Sequence, residues 1–579
     1  MGKSSIAKSN MGKSSARQLR PSADSDLNLL VWLATCVAVM SFLFYYRGGQ
    51  ILLYGDAVAH INIARRVFDS KTPGLLQLGT VWLPLPHLLM IPFLVSTEMW
   101  RRGVGGSIPS MAAYIVAVAG IFRLVRGLLA PADKSDTRSV VSARLAAWTT
   151  AIVFAANPNL IYLQTTAMGE AVYLALLIWA AVYFAEALRG KEKALIKAGL
   201  CLFAACLTRY DGWFLAAAAG CAAIAGWLFL SNKPFGRAGL TKFLLIAAAG
   251  PLLWLGYNAA VYRNPLEFEN GPYSAKAIEH RTQAAGNPGH PGSGNLPLAT
   301  LYFVKACETN LAQNPWLGRA WILLGVFGFG LAAAARRSAA PAPGSSAVGS
   351  FAFWMPLALL LVPLPFYALS IAYGGVPIFV PAFWPFTHYN VRYGLQLLPA
   401  FSVALGLLVY GIVRYARTPH RLRLPLAFGV IVFVLASYAT VWKAGPICLQ
   451  EAEINMRTRN QLELQLAEWL KRLPDDSTLL MYLGDHVGAL EKAGVPLRRT
   501  INEGNHRVWM QPRDPEGLWE RALANPAQFA EYAVAFEGDP VWKAVHDRGF
   551  KALVVIHVTG QAPAILYATR PPDIPINVQ

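Results

Sequence analysis

Long apolar runs separated by short polar stretches dominate the pattern of this sequence. Most runs are about twenty residues long, which is the length a helix needs to cross about 30 Å of hydrocarbon. One span follows a first outer loop at 47–108, and the other predicted spans lie at 27–46, 145–163, 170–188, 195–208, 212–231, 240–260, 315–335, 350–371, 393–413 and 422–441. The pattern therefore predicts an α-helical polytopic membrane protein with about eleven transmembrane helices.

The positions of Lys and Arg predict the orientation of these helices. The basic residues collect in clusters at 123–144, 189–197, 233–242, 336–337 and 414–423. Cytoplasmic loops carry an excess of Lys and Arg, so we expect all five clusters inside, the N-terminus inside and the C-terminus outside.

Residues 81–102 are also apolar, but a span there would place every later basic cluster outside. The prolines Pro84, Pro86 and Pro92 disfavour an uninterrupted helix in this stretch. Arg101 and Arg102 at its end count against the assignment as a single exception. We predict that residues 81–102 form a re-entrant or interfacial segment rather than a span.

Composition excludes several classes of protein. The 579 residues are 55% hydrophobic and only 14% charged, whereas a soluble domain has roughly 25% charged residues. The net charge of +19 arises from clusters between apolar runs, which is typical of membrane orientation and argues against a nucleic-acid partner. The six cysteines are scattered, so neither a disulfide framework nor a zinc site is predicted, although Cys307 and Cys448 are a conceivable pair. Residues 1–26 are polar and basic and predict a disordered cytoplasmic tail.

The composition changes again after the last apolar run. Residues 451–473 have apolar positions at helical spacing, residues 478–483 are predicted to form a buried strand, and the segment WKAVHDRGFKALVVIHV predicts a helix, a glycine turn and a strand. Residues 442–579 are therefore predicted to form a small extracytoplasmic α/β domain, separate from the membrane region at 27–441. Residues 484–486, Gly-Asp-His, follow the first strand and are either a site or, more simply, a turn.

The first outer loop carries the strongest candidate for chemistry. Asp56 and His60 stand four positions apart, which places both on one face of a predicted helix. Ionisable groups at the edge of a membrane are costly and usually pair with something or perform chemistry. Two structural alternatives remain at this stage: Asp56 can cap the helix, and His60 can be a packed, hydrogen-bonded side chain that does not titrate.

Other candidates face the same compartment in this topology. Glu170 follows the third span, Arg209 and Asp211 lie between the fifth and sixth, and Arg392 and Tyr393 open the tenth. Each also has a structural alternative: a charge answering the dipole of a helix, an ion pair at the membrane edge, or an interfacial anchor.

Three motifs give these residues a common context: GDAVAH in the first outer loop, TTAMGE after the third span and RYGLQLLPA at the tenth. In this order and topology the membrane region resembles the glycosyltransferase C superfamily, such as the protein mannosyltransferases and aminoarabinose transferases. The resemblance implies that Asp56 is catalytic, that Glu170 is a second acid and that Arg392 binds the phosphate of a lipid. No DxD triplet is present, so a divalent metal stays a possible cofactor that no motif supports.

The hypothesis is an integral membrane glycosyltransferase of a bacterial inner membrane. It would move a sugar from a polyprenyl-phosphate donor to a lipid, glycan or protein acceptor on the extracytoplasmic side. Asp56, with His60 and Glu170, would be catalytic, and Arg392, Tyr393, Arg209 and Asp211 would bind substrate. A polytopic transporter and a scaffold that only binds polyprenyl lipids are the alternatives. The sequence shows no two similar halves of the kind transporters often have.

Overall fold

The structure is a computed structural model that describes residues 23–131, 135–230, 233–284, 286, 289–338, 346–414, 419–505 and 515–570. The prediction for residues 1–22 of the tail lies outside the described residues. Residues 23–26 correct the predicted end of the tail, because the first helix already begins at Ala23. Asp26 forms ion pairs there with Arg126 and Arg144, and these pairs stabilise the polar first turn of the helix.

Helices make up most of the described chain. The first eleven are α1 Ala23–Arg47, α2 Gly55–Arg66, α3 Leu85–Leu94, α4 Thr97–Arg101, α5 Val104–Leu128, α6 Thr137–Ala155, α7 Pro158–Leu163, α8 Glu170–Ala187, α9 Glu192–Cys206, α10 Asp211–Phe229 and α11 Arg237–Tyr262. The next nine are α12 Glu267–Asn270, α13 Ala275–Ala284, α14 Leu296–Leu311, α15 Pro315–Ser338, α16 Ser346–Leu359, α17 Pro363–Tyr373, α18 Leu398–Arg414, α19 His420–Ala444 and α20 Ile447–Leu470. Short 3₁₀ helices occupy Leu75–Leu78, Val391–Leu397 and Leu497–Arg499.

Nine helical segments in the described chain are long and apolar enough to cross a membrane. This number roughly agrees with the predicted eleven, and the difference lies at two of the predicted spans. The stretch 145–163 is divided at Asn157, which caps α7 and thereby ends the preceding α6. The stretch 195–208 corresponds to α9, whose 15 residues extend only about 22 Å.

Residues 81–102 contain two short helices instead of a span. The first, α3, has 10 residues, and the second, α4, has five. A helix of ten residues is about 15 Å long, half the thickness of the hydrocarbon core. This geometry agrees with the predicted re-entrant or interfacial segment.

The C-terminal part contains a five-stranded sheet with the order β2-β1-β3-β5-β4. The strands are β1 Leu479–Met481, β2 Thr500–Ile501, β3 Tyr532–Phe536, β4 Lys551–Ile556 and β5 Ala564–Ala568. Strand β1 is parallel to β2 and β3, while β5 runs antiparallel to β3 and β4. The helices here are α21 Leu483–His486, α22 Gly488–Ala493, α23 Leu518–Ala524, α24 Pro526–Phe529 and α25 Pro540–Val545.

The two faces of the sheet have different partners. One face carries Leu480 and Ala533 and packs with Trp519, Val541 and Val545 into a small core of its own. Side chains of the other face belong to the same continuous hydrophobic core as the membrane helices; they include Leu479, Met481, Val534 and Leu566. Helix α22 also contacts α2 and α4 of the first outer loop. The sheet is thus packed onto the loop that carries Asp56, and the separation of residues 442–579 as a domain stays a prediction.

Candidate functional site

Arg392 lies at the centre of a buried ionic cluster. Its Nη2 donates to Asp56 Oδ2 at 2.5 Å, its Nε to Glu170 Oε1 at 3.2 Å, and its Nη1 to Glu451 Oε1 at 2.6 Å. The backbone N–H of Val391 donates to the other oxygen of Glu451 at 2.7 Å. Each guanidinium nitrogen of Arg392 therefore donates to a different carboxylate.

Arg209 extends the cluster on the side of Glu170. Its Nη1 donates to Glu170 Oε1 at 3.1 Å, and its Nη2 donates to the hydroxyl of Tyr367 at 2.9 Å. The Tyr367 hydroxyl in turn donates to Asp211 Oδ2 at 3.1 Å, while Arg209 Nε lies 3.5 Å from Asp211 Oδ1. Two arginines thus share one oxygen of Glu170.

Two tyrosine rings line the arginines. Arg392 lies over Tyr54 at 4.9 Å and over Tyr393 at 5.0 Å from the ring centroids. Arg209 lies over Tyr393 at 4.7 Å on the same measure. Tyr393 is therefore shared between the two cations, and such contacts favour a guanidinium that has lost its hydration shell. The alternative of an interfacial anchor formed by Arg392 and Tyr393 is not supported, because Arg392 is buried.

A network of asparagines holds the segment before α18 in place. Asn310 of α14 donates to Val391 O at 2.7 Å, and its own carbonyl oxygen accepts from Asn157 and Asn159. Asn159 also accepts from the backbone N–H of Cys448 at the start of α20. All these groups are buried, so each amide satisfies a backbone group that water cannot reach. The network joins α7, α14 and α20 directly around the segment that carries Arg392.

Helix α2 presents Asp56 and His60 as the four-residue spacing predicts. Its N-cap is Tyr54, which makes no capping hydrogen bond through its side chain, so the alternative that Asp56 caps the helix is not supported. His60 Nδ1 lies 2.8 Å from Nε2 of His87 on α3, and the His60 ring packs on Trp82. Burial lowers the pKa of His60 and holds the pKa of His87 well below its ordinary value.

The four carboxylates of the cluster differ in how much of each side chain is exposed to solvent. Asp56 exposes 39% of its side chain, whereas Glu170, Asp211 and Glu451 each expose 1%. Oδ1 of Asp56 makes no hydrogen bond within the described part of the chain. Because two arginines face four acidic groups, the cluster carries more potential negative than positive charge. Asp56 is its contact with solvent.

A cavity of about 740 Å³ adjoins Asp56. One wall is formed by α2 and residues 76–82, and the opposite wall by the loops that follow β1 and β2. Arg66, Arg281 and Arg459 line this space and supply positive charge. Asp485 of α21 also lines the cavity, so residues 484–486 are more than a remote turn, although we assign them no chemistry.

The described residues contain no group of three or more His, Cys, Asp or Glu side chains arranged to hold a metal ion. The described cysteines Cys307 and Cys448 are both free, so the conceivable pairing between them is not made.

All seven site residues predicted from the sequence lie in this one region; they are Asp56, His60, Glu170, Arg209, Asp211, Arg392 and Tyr393. Sequence reasoning missed Glu451, His87 and Tyr367. Glu451 had a usable signal, since it is an acid just after the last apolar run, as Asp56 is after the first. His87 and Tyr367 stand within apolar stretches, and their partners are far away in the chain.

A scan of the sequence against known protein families finds no match, and a search of curated proteins finds none either. Solved structures do match. The crystal structure of ArnT from Cupriavidus metallidurans in the apo state aligns with a TM-score of 0.51 and 12% identity, covering 95% of this chain and 98% of that chain. The likeness to ArnT confirms the fold expected from the resemblance to the glycosyltransferase C superfamily.

The oligosaccharyltransferase of Archaeoglobus fulgidus also aligns, in the form tethered to an acceptor peptide, with a TM-score of 0.45 and 13% identity over 96% of this chain and 75% of that chain. The likeness to ArnT is the one that supports the fold assignment. The likeness to ArnT and the nine long apolar helices of the described chain together identify this chain as an integral membrane protein.

Proposed function

We propose that this protein is a membrane glycosyltransferase that moves a sugar from a polyprenyl-phosphate donor to an acceptor hydroxyl on the extracytoplasmic side. One observation carries the proposal. A half-buried carboxylate, Asp56, stands at a large cavity, while Arg392, which holds one of its oxygens, is buried and has each of its three nitrogens on a carboxylate. This is the arrangement expected of a base that must be both fixed in position and accessible.

Asp56 Oδ1 is the proposed proton acceptor. When the acceptor oxygen attacks the anomeric carbon, its proton passes to Oδ1 and a new carbon–oxygen bond forms. The bond from the anomeric carbon to the phosphate oxygen breaks, and its electron pair leaves with the lipid phosphate. Oδ2 stays on Arg392, which fixes the direction of the free oxygen. Since phosphate is a stable leaving anion, the reaction needs no protonated general acid.

The phosphate requires cations on the other side of the reaction centre. The sequence-based proposal gives this task to Arg392, but a phosphate there would have to displace one of its three carboxylates. Arg66, Arg281 and Arg459 already line the cavity. Arg459 Nη1 lies so close to Gly55 that a Cβ built at that position would be 2.6 Å from it. We therefore propose that these arginines bind the phosphate and that Arg392 acts through Asp56.

Asp56→Asn tests the proposal. The variant keeps the shape of the side chain and removes its basicity, so sugar transfer should fall by about a hundredfold or more. Donor binding should be kept or become tighter, because one negative charge beside the cavity is lost. The measurements are product formation by the purified protein in nanodiscs with polyprenyl-phosphate monosaccharides, and binding of polyprenyl phosphate by thermal shift.

The matched control is Asp485→Asn, an exposed carboxylate on the opposite wall of the same cavity. It changes the charge of the cavity equally but holds no reacting group, so turnover should stay within about threefold of the wild type. Wild-type turnover by Asp56→Asn would contradict the proposal. Equal losses in both variants would point to a general effect of charge rather than to a base.

A further inference from the structure

Two buried histidines meet close to the proposed base. His60 stands one helical turn after Asp56 on α2, and its Nδ1 lies 2.8 Å from Nε2 of His87. His60 is 7% exposed and His87 is fully buried. A separation of 2.8 Å between two ring nitrogens requires one proton between them, so one ring donates and the other accepts.

Both rings are neutral in this environment. Burial is the main cause that lowers the pKa of each histidine, and the proximity of the other ring lowers that of His87 further. A neutral imidazole carries its proton on one nitrogen only. Two arrangements are therefore open. Either His60 donates from Nδ1 and leaves its Nε2 bare, or His87 donates from Nε2 and His60 carries its proton on Nε2.

The surroundings of each ring favour the second arrangement. In the first, His87 would carry a proton on Nδ1, a buried atom with no hydrogen-bond partner among the described residues; in the second, the same atom is a bare acceptor, and buried orphan donors are rarer than buried orphan acceptors. The nearby Arg66 cation also favours a bare Nδ1 on His87. On the other ring, the carboxylates of Asp56 and Glu170 act on His60 more strongly than the cations of Arg392 and Arg209, so a protonated Nε2 suits His60 better than a bare lone pair.

We propose that His87 is a positioning residue that fixes His60 as the Nε2–H tautomer, so that His60 donates a hydrogen bond to a substrate oxygen that gains negative charge during transfer. His60 Nε2 makes no hydrogen bond within the described part of the chain, which leaves that N–H available. The role of His60 rests on the proposed glycosyl transfer, whereas the tautomer does not. Asp56 is then the base and His60 the donor, with no overlap between their tasks.

The tautomer can be observed without any assay of activity. Long-range ¹H–¹⁵N correlation spectra of the full-length protein, labelled with [¹⁵N]histidine in nanodiscs, report which ring nitrogen carries the proton. The chain has 10 histidines, so His60→Gln and His87→Gln spectra assign the two signals by their loss. We expect a protonated Nε2 and a bare Nδ1 for His60 at pH 7.5. A protonated Nδ1 on His60 would overturn the proposal.

Activity then tests whether the tautomer matters. His87→Gln keeps an N–H that can donate to His60 Nδ1, so kcat should stay within about threefold of the wild type. His87→Phe removes that donor and frees His60 to exchange tautomers, so kcat should fall about tenfold, the equivalent of about 1.4 kcal/mol, with little change in KM. In the spectra, His60 of the Phe variant should show a mixture of both tautomers.

His290→Gln is the control for loss of a buried histidine. His290 contacts Ile378 O and the N–H of Gly292 and takes no part in the proposed reaction. Its variant should leave kcat within about twofold. If His87→Gln and His87→Phe lose activity equally while both melt as the wild type does, the positioning role is wrong. If the tautomer is as expected but no polyprenyl-phosphate sugar is turned over, the proposed function fails and the tautomer assignment stands.

Discussion

The protein carries two ionic clusters near the opposite ends of α1, and they are built in opposite ways. At the start of α1, Asp26 accepts from Arg126 at 2.9 Å and from Arg144 at 2.6 Å, so one acid holds two cations. Just beyond the other end, Arg392 donates to three acids. Helix α1 has 25 residues and is therefore about 37 Å long.

Burial decides what each cluster can do. Arg126 and Arg144 expose 31% and 48% of their side chains, so their pairing with Asp26 is largely hydrated and joins α1 to α5 and α6 at little electrostatic gain. Arg392, Glu170 and Glu451 are almost completely buried, and the desolvation of so many charges is costly even when they are paired. A cluster that is costly, acid-rich and open at one residue is better explained by chemistry than by stability.

The largest effect should come from Arg392. Arg392→Lys keeps one charge but cannot reach three carboxylates, so Asp56 loses its fixed orientation and turnover should fall about a hundredfold. Arg392→Ala should also unfold at a lower temperature, because removing one partner of a buried pair costs about 3–5 kcal/mol. Turnover and thermal melting are the measurements, and Arg319→Lys, on an exposed arginine that stacks on Trp316, is the control.

Donor binding separates the two roles considered for Arg392. If it acts through Asp56, Arg392→Lys should lower kcat while the Kd for polyprenyl phosphate changes little, and Arg459→Ala should weaken that binding about tenfold. If Arg392→Lys instead weakened binding of polyprenyl phosphate and Arg459→Ala did not, Arg392 would be the phosphate-binding residue, and the role given to the arginines of the cavity would be wrong.

A smaller effect is expected from Glu451. Glu451→Gln keeps an oxygen that can accept from Val391 or Arg392 but removes a charge that competes with Asp56 for the guanidinium. Arg392 should then bind Asp56 more tightly and make it a weaker base, so turnover should fall about tenfold; the Tm should also fall, because the amide nitrogen of Gln faces one of the two buried donors. Glu453→Gln, on the exposed side of the same helix, is the control and should leave turnover unaltered. A Glu451→Gln enzyme as fast as the wild type would show that this acid is only structural.

Glu491 is a buried acid that differs from those around Arg392. Its carboxylate accepts a hydrogen bond from the amide of Asn62, at 3.2 Å, instead of one from a guanidinium. Burial raises the pKa of Glu491 to about 8 from an ordinary 4.5. The stability that its protonated form contributes is fully present below pH 4.5 and is lost as the pH rises through 8. Between pH 5 and 8.5 the Tm of the wild type should therefore fall about 3 °C more than that of Glu491→Gln. The exposed Glu468→Gln should follow the wild type, and parallel curves for all three proteins would contradict the assignment.

The smallest effect should come from Asp26. Asp26→Asn loses two partly hydrated ion pairs, so we expect a fall in Tm of about 2 °C and turnover within about twofold of the wild type. Melting and turnover measured on the same preparation check both expectations. A large loss of activity would mean that the distinction drawn between the two clusters is false.

The sequence predicted the membrane fold and seven site residues because both depend on patterns close together in the chain. Apolar length indicates a span, and a charged residue next to a span stands out against its neighbours. Tyr367 and His87 carry no such mark, because their roles arise from partners 156 and 27 positions away. Glu451 was marked, but the change of composition after Trp442 suggested a separate domain. The N-terminal part of α20 in fact completes the ionic cluster.

The position of Glu451 has a consequence for how this protein is made. The Arg392–Asp56 contact joins residues 336 positions apart, and the Tyr54–Cys448 contact joins residues 394 apart. During synthesis, Asp56 emerges long before Arg392 does and has to remain at the aqueous edge of the bilayer, while Glu170 can pair only with Arg209. The ionic cluster can close only when α19 has been inserted and α20 has followed it. On the proposed function, an unfinished chain is therefore inert, because the proposed base is not held in place before nearly the whole membrane region has been translated.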